Sequence, residues 1–139
     1  LKSARYNLTR AGIQQQIRLE HCLAEEFSPL SVFGSEEPFD TVFFSYSLSM
    51  IPQWRSALGR GLLNLKTGGS LWVVDFGDQR GLPKWFAAGL KKWLSLFHVH
   101  PRLEVLKYFR ELEMFGLVTL SVKPLYRRYA YLARLNKIG

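Results

Sequence analysis

Residues Phe39 to Asp78 constrain this chain more than any other stretch, because they read in succession as strand, turn, helix, turn and strand. Thr41 to Tyr46 shows no polar alternation. That pattern suits a parallel strand buried on both faces, with polar residues gathering only at its carboxyl end. Pro52 is tolerated in a first helical turn, and Trp54, Leu58, Leu62 and Leu65 recur at helical spacing until Gly68-Gly69 stops the helix. A second apolar strand, Leu71 to Asp75, follows. One βαβ unit of this kind requires a parallel pair, and ligands of open α/β sheets bind outside the carboxyl ends of the strands. Attention therefore falls on Ser45, Tyr46 and Ser47, and on Asp75 and Asp78.

The rest of the chain fits around that unit. Lys2 to Ala11 reads as a helix with Gly12 as its stop, Gln16 to Cys22 as a strand, and the stretch through Glu25, Pro29 and Gly34 as an exposed loop. Leu82-Pro83 opens a helix whose Trp85, Phe86, Leu90, Trp93, Leu94 and Phe97 form one broad apolar face. His100-Pro101 opens another, carrying Leu103, Leu106, Phe109, Leu112 and Met114 and ended by Gly116. Leu117 to Val122 and Tyr129 to Leu135 read as an antiparallel pair. No repeat, low-complexity tract or linker divides the 139 residues, which predicts a single domain.

Composition bounds the partners. A chain that is 47% hydrophobic and 14% aromatic can bury a core and is not of the disordered class. Its net charge of +8 favours an anionic surface, either nucleic acid or the cytoplasmic leaflet of a membrane, and charge does not choose between them. Cys22 stands alone, so no internal disulfide forms and a reducing cytoplasm is the expected location. The longest amphiphilic stretch, Leu82 to Phe97, is interrupted by Lys84, Lys91 and Lys92 and does not span a bilayer. His98 and His100 flank Val99, yet no Cys or carboxylate cluster completes a zinc site, so no metal is expected.

Several stretches carry a resemblance: FDTVFFSYSLSMIPQW, VVDFGDQRGLPKWF, FHVHPR and PLYRRYAYLARL. Together the chain resembles the later half of a Rossmann-like S-adenosylmethionine-dependent methyltransferase, nearest to the betaine-lipid enzymes that methylate the amino group of a diacylglyceryl-homoserine headgroup. The resemblance implies an α/β fold, a partial methyltransferase sheet of strands 3 to 7 with helices on both faces and a carboxyl-terminal antiparallel hairpin. It implies S-adenosylmethionine as cofactor, a lipid or small-molecule amine as acceptor, peripheral contact with an anionic membrane, and no nucleic-acid partner. In the family's sheet order, 3-2-1-4-5-7-6, Ile17 to Cys22 stands for strand 3 and the Thr41 strand for strand 4, so strands 1 and 2 should lie between them. A domain over residues 1–139 is thus expected to be incomplete at its N-terminus, with roughly 70 or more further residues upstream. That upstream part would hold the glycine-rich turn and the ribose-binding acid. Gly59-Arg60-Gly61 lies within a helix and Thr67-Gly68-Gly69 precedes a strand, so neither is that turn.

The same resemblance assigns residues. Leu23 stands where an acid would accept from the adenine amino group, which leucine cannot do, although Leu23 and Ala24 can pack on the purine. Ser45 and Tyr46 fall at the cofactor face, with Tyr46 also lining the path of the methyl group, where alignment is much of the catalysis. An amine acceptor must be neutral to attack, and its ordinary pKa of about 8 keeps it mostly protonated. Asp78 is the candidate to bind the ammonium and take its proton. Asp75, His98 and Tyr126 are candidates for substrate binding, and Asp75 alternatively holds a loop. Read from the residues alone, Tyr46 also suits an aromatic core position, and Leu82 to Phe97 suits either packing on the sheet or a lipid interface. Two rival functions stay open: a small-molecule methyltransferase of quinone or phospholipid type, and a non-catalytic relative serving as a basic membrane-surface or RNA-binding module.

Overall fold

The computed structural model describes residues 1–78, 80–96 and 102–139. Helix α1 (Lys2–Ala11) and the short α2 (Pro29–Phe33) precede strand β1 (Phe39–Ser45), helix α3 (Trp54–Leu63) and strand β2 (Leu65–Phe76). Helices α4 (Lys84–Leu96) and α5 (Leu103–Met114) follow, then β3 (Val118–Leu125) and β4 (Ala130–Lys137). The sheet order is β1-β2-β4-β3, with β1 and β2 parallel and the other pairs antiparallel. That is the 4-5-7-6 portion of the sheet the resemblance implied.

Local chemistry accounts for most boundaries. Gly12 ends α1 in the left-handed region at φ 69°, its N–H donating to Thr9 and that of Ile13 to Leu8. Within the stretch expected as loop, Ser28 caps α2 by accepting from the Ser31 amide at 3.1 Å, Pro29 follows it, and Gly34 ends it. Five residues carry too little periodicity to be read as a helix, although the Ser-Pro start and glycine stop were there to be seen. Phe27 stacks on Phe39 at 5.7 Å and Phe33 meets both edge-on, pinning α2 to the start of β1.

The expected strand Gln16 to Cys22 does not form; this stretch is turn and coil. A strand needs a partner for its backbone groups, and this segment is held instead by Arg18, which donates to the Phe33 carbonyl at 3.3 Å and lies 4.9 Å over the Phe33 ring. The sheet consequently has four strands among the described residues rather than five.

Register explains the core. Val42 pairs with Leu71, Leu71 with Leu135, Phe44 with Val73 and Val73 with Ala133, so these side chains share one face. Helices α3 and α5 both cover that face: Leu58 of α3 and Val105, Phe109 and Leu112 of α5 are buried with Leu71, Val73 and Leu135. Gly61 permits the close approach of α3, since a Cβ there would lie 2.9 Å from Leu71. Helices on both faces were expected; α3 and α5 occupy one. The opposite face carries Phe43, Trp72 and Arg134, whose guanidinium sits 5.0 Å over the Trp72 ring. Strand β1 is therefore half-exposed rather than buried on both faces, with Phe43 57% exposed.

Candidate active site at the carboxyl ends of the parallel strands

The chain leaves β1 through Tyr46, whose φ of 47° lies in the left-handed region that a bulky residue occupies only under constraint. Three contacts supply the constraint. The Tyr46 amide donates to the Val74 carbonyl at 2.8 Å, continuing the ladder one residue beyond the strand. Its ring packs on Phe76 with centroids 5.1 Å apart. The following turn, in which the amides of Met50 and Ile51 donate to Ser47, is anchored by fully buried Leu48 and by Asp75.

Asp75 points inward. It is buried, its Oδ2 accepts from the Ser49 amide at 2.9 Å, and its Oδ1 accepts from the Phe76 amide at 2.8 Å. One carboxylate thus ties the loop after β1 to the end of β2. The Ser49 hydroxyl beside it is buried and has no partner among the described residues.

An aromatic cluster covers this junction. Phe76 meets Tyr129 edge-on at 5.7 Å, so Tyr46, Phe76 and Tyr129 form a contiguous row of rings across the ends of β1, β2 and β4. Loss of solvent raises the Tyr46 hydroxyl above the ordinary tyrosine value, and the nearby Tyr129, Tyr126 and Asp75 charges push the same way. Burial likewise holds the Tyr131 phenol well above its ordinary value, with Asp75 adding to the effect.

The β3–β4 turn completes the site. Tyr126, Arg127 and Arg128 all have positive φ, 46°, 54° and 67°, without a glycine among them. The β2–α4 loop clasps this turn from below: a Cβ at Gly77 would lie 2.3 Å from the Arg128 carbonyl oxygen, and one at Gly81 would lie 2.4 Å from that of Arg127. Only glycine fits at either place. The Gly77 amide donates to Tyr129 at 2.7 Å, and Arg128 donates to Asp78. Asp78 also pairs with the more distant Arg80 at 3.5 Å. Beneath the turn lies a cavity of about 210 Å³ whose lining includes Asp78, Leu106, Arg110, Arg128 and Tyr131.

Ser45, Tyr46, Asp75, Asp78 and Tyr126 therefore gather at one end of the sheet, with Tyr126 exposed on the turn and Asp78 nearly buried beneath it. Leu23 lies elsewhere, in a shallow groove beside Gln53 and the α3 residues Ser56 and Arg60 that contains neither Ser45 nor Tyr46. Ala24 follows it, just before Glu25 and Phe27, whose carbonyls accept from Arg60 and Asn64. His98 lies outside the described residues, as do Gln79 and residues 97–101. Sequence reasoning missed the clasp of Gly77 and Gly81 and the partnership of Phe76 with Tyr46. The two glycines flanking Asp78 were the available signal. Among the described residues no group of three or more His, Cys, Asp or Glu could hold a metal ion.

No family model matches the chain, and no curated protein matches it in sequence. Solved structures do. An O-methyltransferase family protein from Burkholderia thailandensis superposes with a TM-score of 0.67 at 15% identity, covering 99% of this chain and 40% of its own. The O-methyltransferase family 2 protein of Planctomyces limnophilus, in complex with apigenin, gives 0.67 at 19% identity over 99% of this chain and 39% of its own. The N-methyltransferase NodS of Bradyrhizobium japonicum gives 0.55 at 18%, covering 95% and 68%. The chain has a methyltransferase fold. It spans about two fifths of the length of the first of these neighbours.

Proposed function

We propose that residues 1–139 form the acceptor side of an S-adenosylmethionine-dependent methyltransferase whose acceptor is an amine. The observation that carries this reading is the row of Tyr46, Phe76 and Tyr129 rings, flanked by Asp75 and Asp78, at the carboxyl ends of the parallel strands. Aromatic faces attract cations, and quaternary ammonium groups are recognised by such rings. An amine acceptor and its methylated product are both cations near neutral pH. A phenol acceptor gains nothing from this lining.

Each residue then has a role. When bound, S-adenosylmethionine supplies an electrophilic methyl group, and Ser45 and Tyr46 lie where its sulfonium end would face the acceptor. Tyr46 and Tyr129 orient the amine. Asp78 receives the ammonium in exchange for Arg80, its longer and more exposed partner, while Arg128 keeps the carboxylate in place. Asp75 acts through the Ser49 loop, and Tyr126 and His98 border the acceptor. Leu23 and Ala24 belong to the adenine side. The betaine-lipid reading places the amine on a lipid headgroup.

The residues present supply an acceptor side and part of a cofactor site. The two glycines that follow β2, Gly77 and Gly81, lie against the β3–β4 turn, and the outer edge of β1 has no partner among the described residues. An unpaired strand edge of this kind can accept a further strand.

The test uses the chain itself. Choline, followed by NMR, is expected to bind in the millimolar range and to shift the Tyr46 and Tyr129 resonances, whereas its neutral isostere 3,3-dimethylbutan-1-ol does not. Tyr46→Ala should abolish the response. Equal responses to the two compounds, or none to choline, would sink the amine assignment. Calorimetric titration with S-adenosylhomocysteine should give no binding; micromolar binding would show that these residues hold the cofactor without any further segment.

A further inference from the structure

Helix α4 shows its apolar side to solvent. Its sequence, KWFAAGLKKWLSL, has Leu94 as its buried residue, with Leu90 and Ala87 half-buried on the same side. Trp85 is 77% exposed, Leu96 70%, Trp93 54% and Phe86 45%. At about 100° per residue these four side chains fall on one arc roughly 100° wide, adjoining the side that Leu94 turns to the protein. Single exposed apolar residues are ordinary, but a contiguous patch marks a surface for something else.

Charge identifies the occupant. Lys92 falls about 20° beyond the Trp85 edge of the stripe, Lys84 and Lys91 lie roughly 100–120° beyond that edge on the same side, and the helix contains no acidic residue. Tryptophan and phenylalanine beside lysine suit a helix lying in the plane of a lipid interface, with rings at headgroup depth and ammonium groups on anionic lipid. A nucleic acid would use the lysines but gives no role to Leu96. We infer that α4 docks the chain onto an anionic bilayer, lying flat along its length of roughly 20 Å. No helix among the described residues is long and apolar enough to cross a membrane, so this contact is peripheral. The inference does not depend on methyl transfer: α4 would seat the chain on lipid whether or not it is an enzyme.

Flotation with vesicles of phosphatidylcholine, with and without phosphatidylglycerol, tests it. The folded chain is expected to float only with the anionic vesicles, and less as salt rises. Each lysine near the surface strengthens binding about fivefold, so the combined Lys84→Glu, Lys91→Glu and Lys92→Glu variant should bind at least about a hundredfold more weakly. Trp85→Ser with Leu96→Ser, both at exposed positions, should also release the chain. Reversing the same number of charges on α1, through Lys2→Glu, Arg5→Glu and Arg10→Glu, should leave most binding intact. Equal loss from the α1 and α4 reversals would reduce the effect to overall charge and overturn the proposal. Loss with the lysine variant but not the Trp85/Leu96 variant would mark a polyanion site such as one for RNA, and also overturn it. A chain that ignores vesicles but self-associates through Trp85 and Leu96 would make the occupant a second copy, and the lipid proposal would fall with it.

Discussion

Replacing Asp75 should separate the loop after β1 from the sheet. The carboxylate is buried and accepts two backbone N–H groups, from Ser49 at 2.9 Å and Phe76 at 2.8 Å. Hydrogen bonds to a charged group contribute about 1.5–3 kcal/mol each, and orphaning a buried donor costs about 1–3 kcal/mol. Asp75→Ala removes both acceptors, so a loss of about 3–5 kcal/mol is expected. That is a large part of the 5–15 kcal/mol that usually holds a domain together. Asp75→Asn keeps one acceptor oxygen but turns an amide against the other donor, so it should fall between wild type and alanine. Urea unfolding gives the two values, with an unchanged m-value showing that the exposed surface is the same. Hydrogen exchange at the Ser49 amide locates the effect: it should quicken in both variants, most in alanine. An alanine variant within about 0.5 kcal/mol of wild type, a range typical of surface substitutions, would refute the reasoning. So would a Ser49 amide that exchanges as before.

Two other predictions follow from the site. Gly77→Ala must displace the Arg128 carbonyl 2.3 Å from its Cβ, and with it the Asp78–Arg128 pair, so a loss of at least about 2 kcal/mol is expected; Gly89→Ala, with nothing within 4 Å, should instead stabilise by roughly 0.5–1 kcal/mol. Equal thermal midpoints for the two variants would contradict the clasp. The raised Tyr131 phenol makes stability fall at high pH: the contribution is complete below the unfolded value near 10 and is lost as pH climbs from there toward the folded value, at about 1.4 kcal/mol per pH unit. Tyr131→Phe should flatten that decline in urea midpoints measured from about pH 9 to 11; an unchanged slope would remove Tyr131 as its source.

Much of this could be read before any coordinates. The βαβ unit, the Gly12 stop and the carboxyl-terminal hairpin follow from periodicity and turn chemistry, which are local. Ser45, Tyr46, Asp75 and Asp78 could be placed at the carboxyl end of the sheet because parallel strands put them there. The inward turn of Asp75 was legible only as one of two options, since a carboxylate at a strand end serves a ligand or a loop equally well. Failure came where the outcome depends on partners distant in sequence. Gln16 to Cys22 has a strand-like composition, but without a neighbouring strand to satisfy its backbone it does not become one. Leu82 to Phe97 carries a helical apolar pattern, but the pattern does not say that Leu94 is the residue of α4 that becomes buried.

By itself, then, the sequence determined the βαβ unit with its parallel pair, the later helices and hairpin, and the residues at the carboxyl end of the parallel strands. Each of these is set by backbone preference and by the spacing of apolar residues over a few turns or strands. Only the tertiary structure decided that Gly77 and Gly81 admit a strained Tyr126–Arg128 turn, that Phe76 joins Tyr46 to Tyr129, and that the stripe on α4 faces outward. These depend on which surfaces lie against one another, and contact between residues some 50 positions apart, as in Asp78 and Arg128, leaves no periodic trace in the chain.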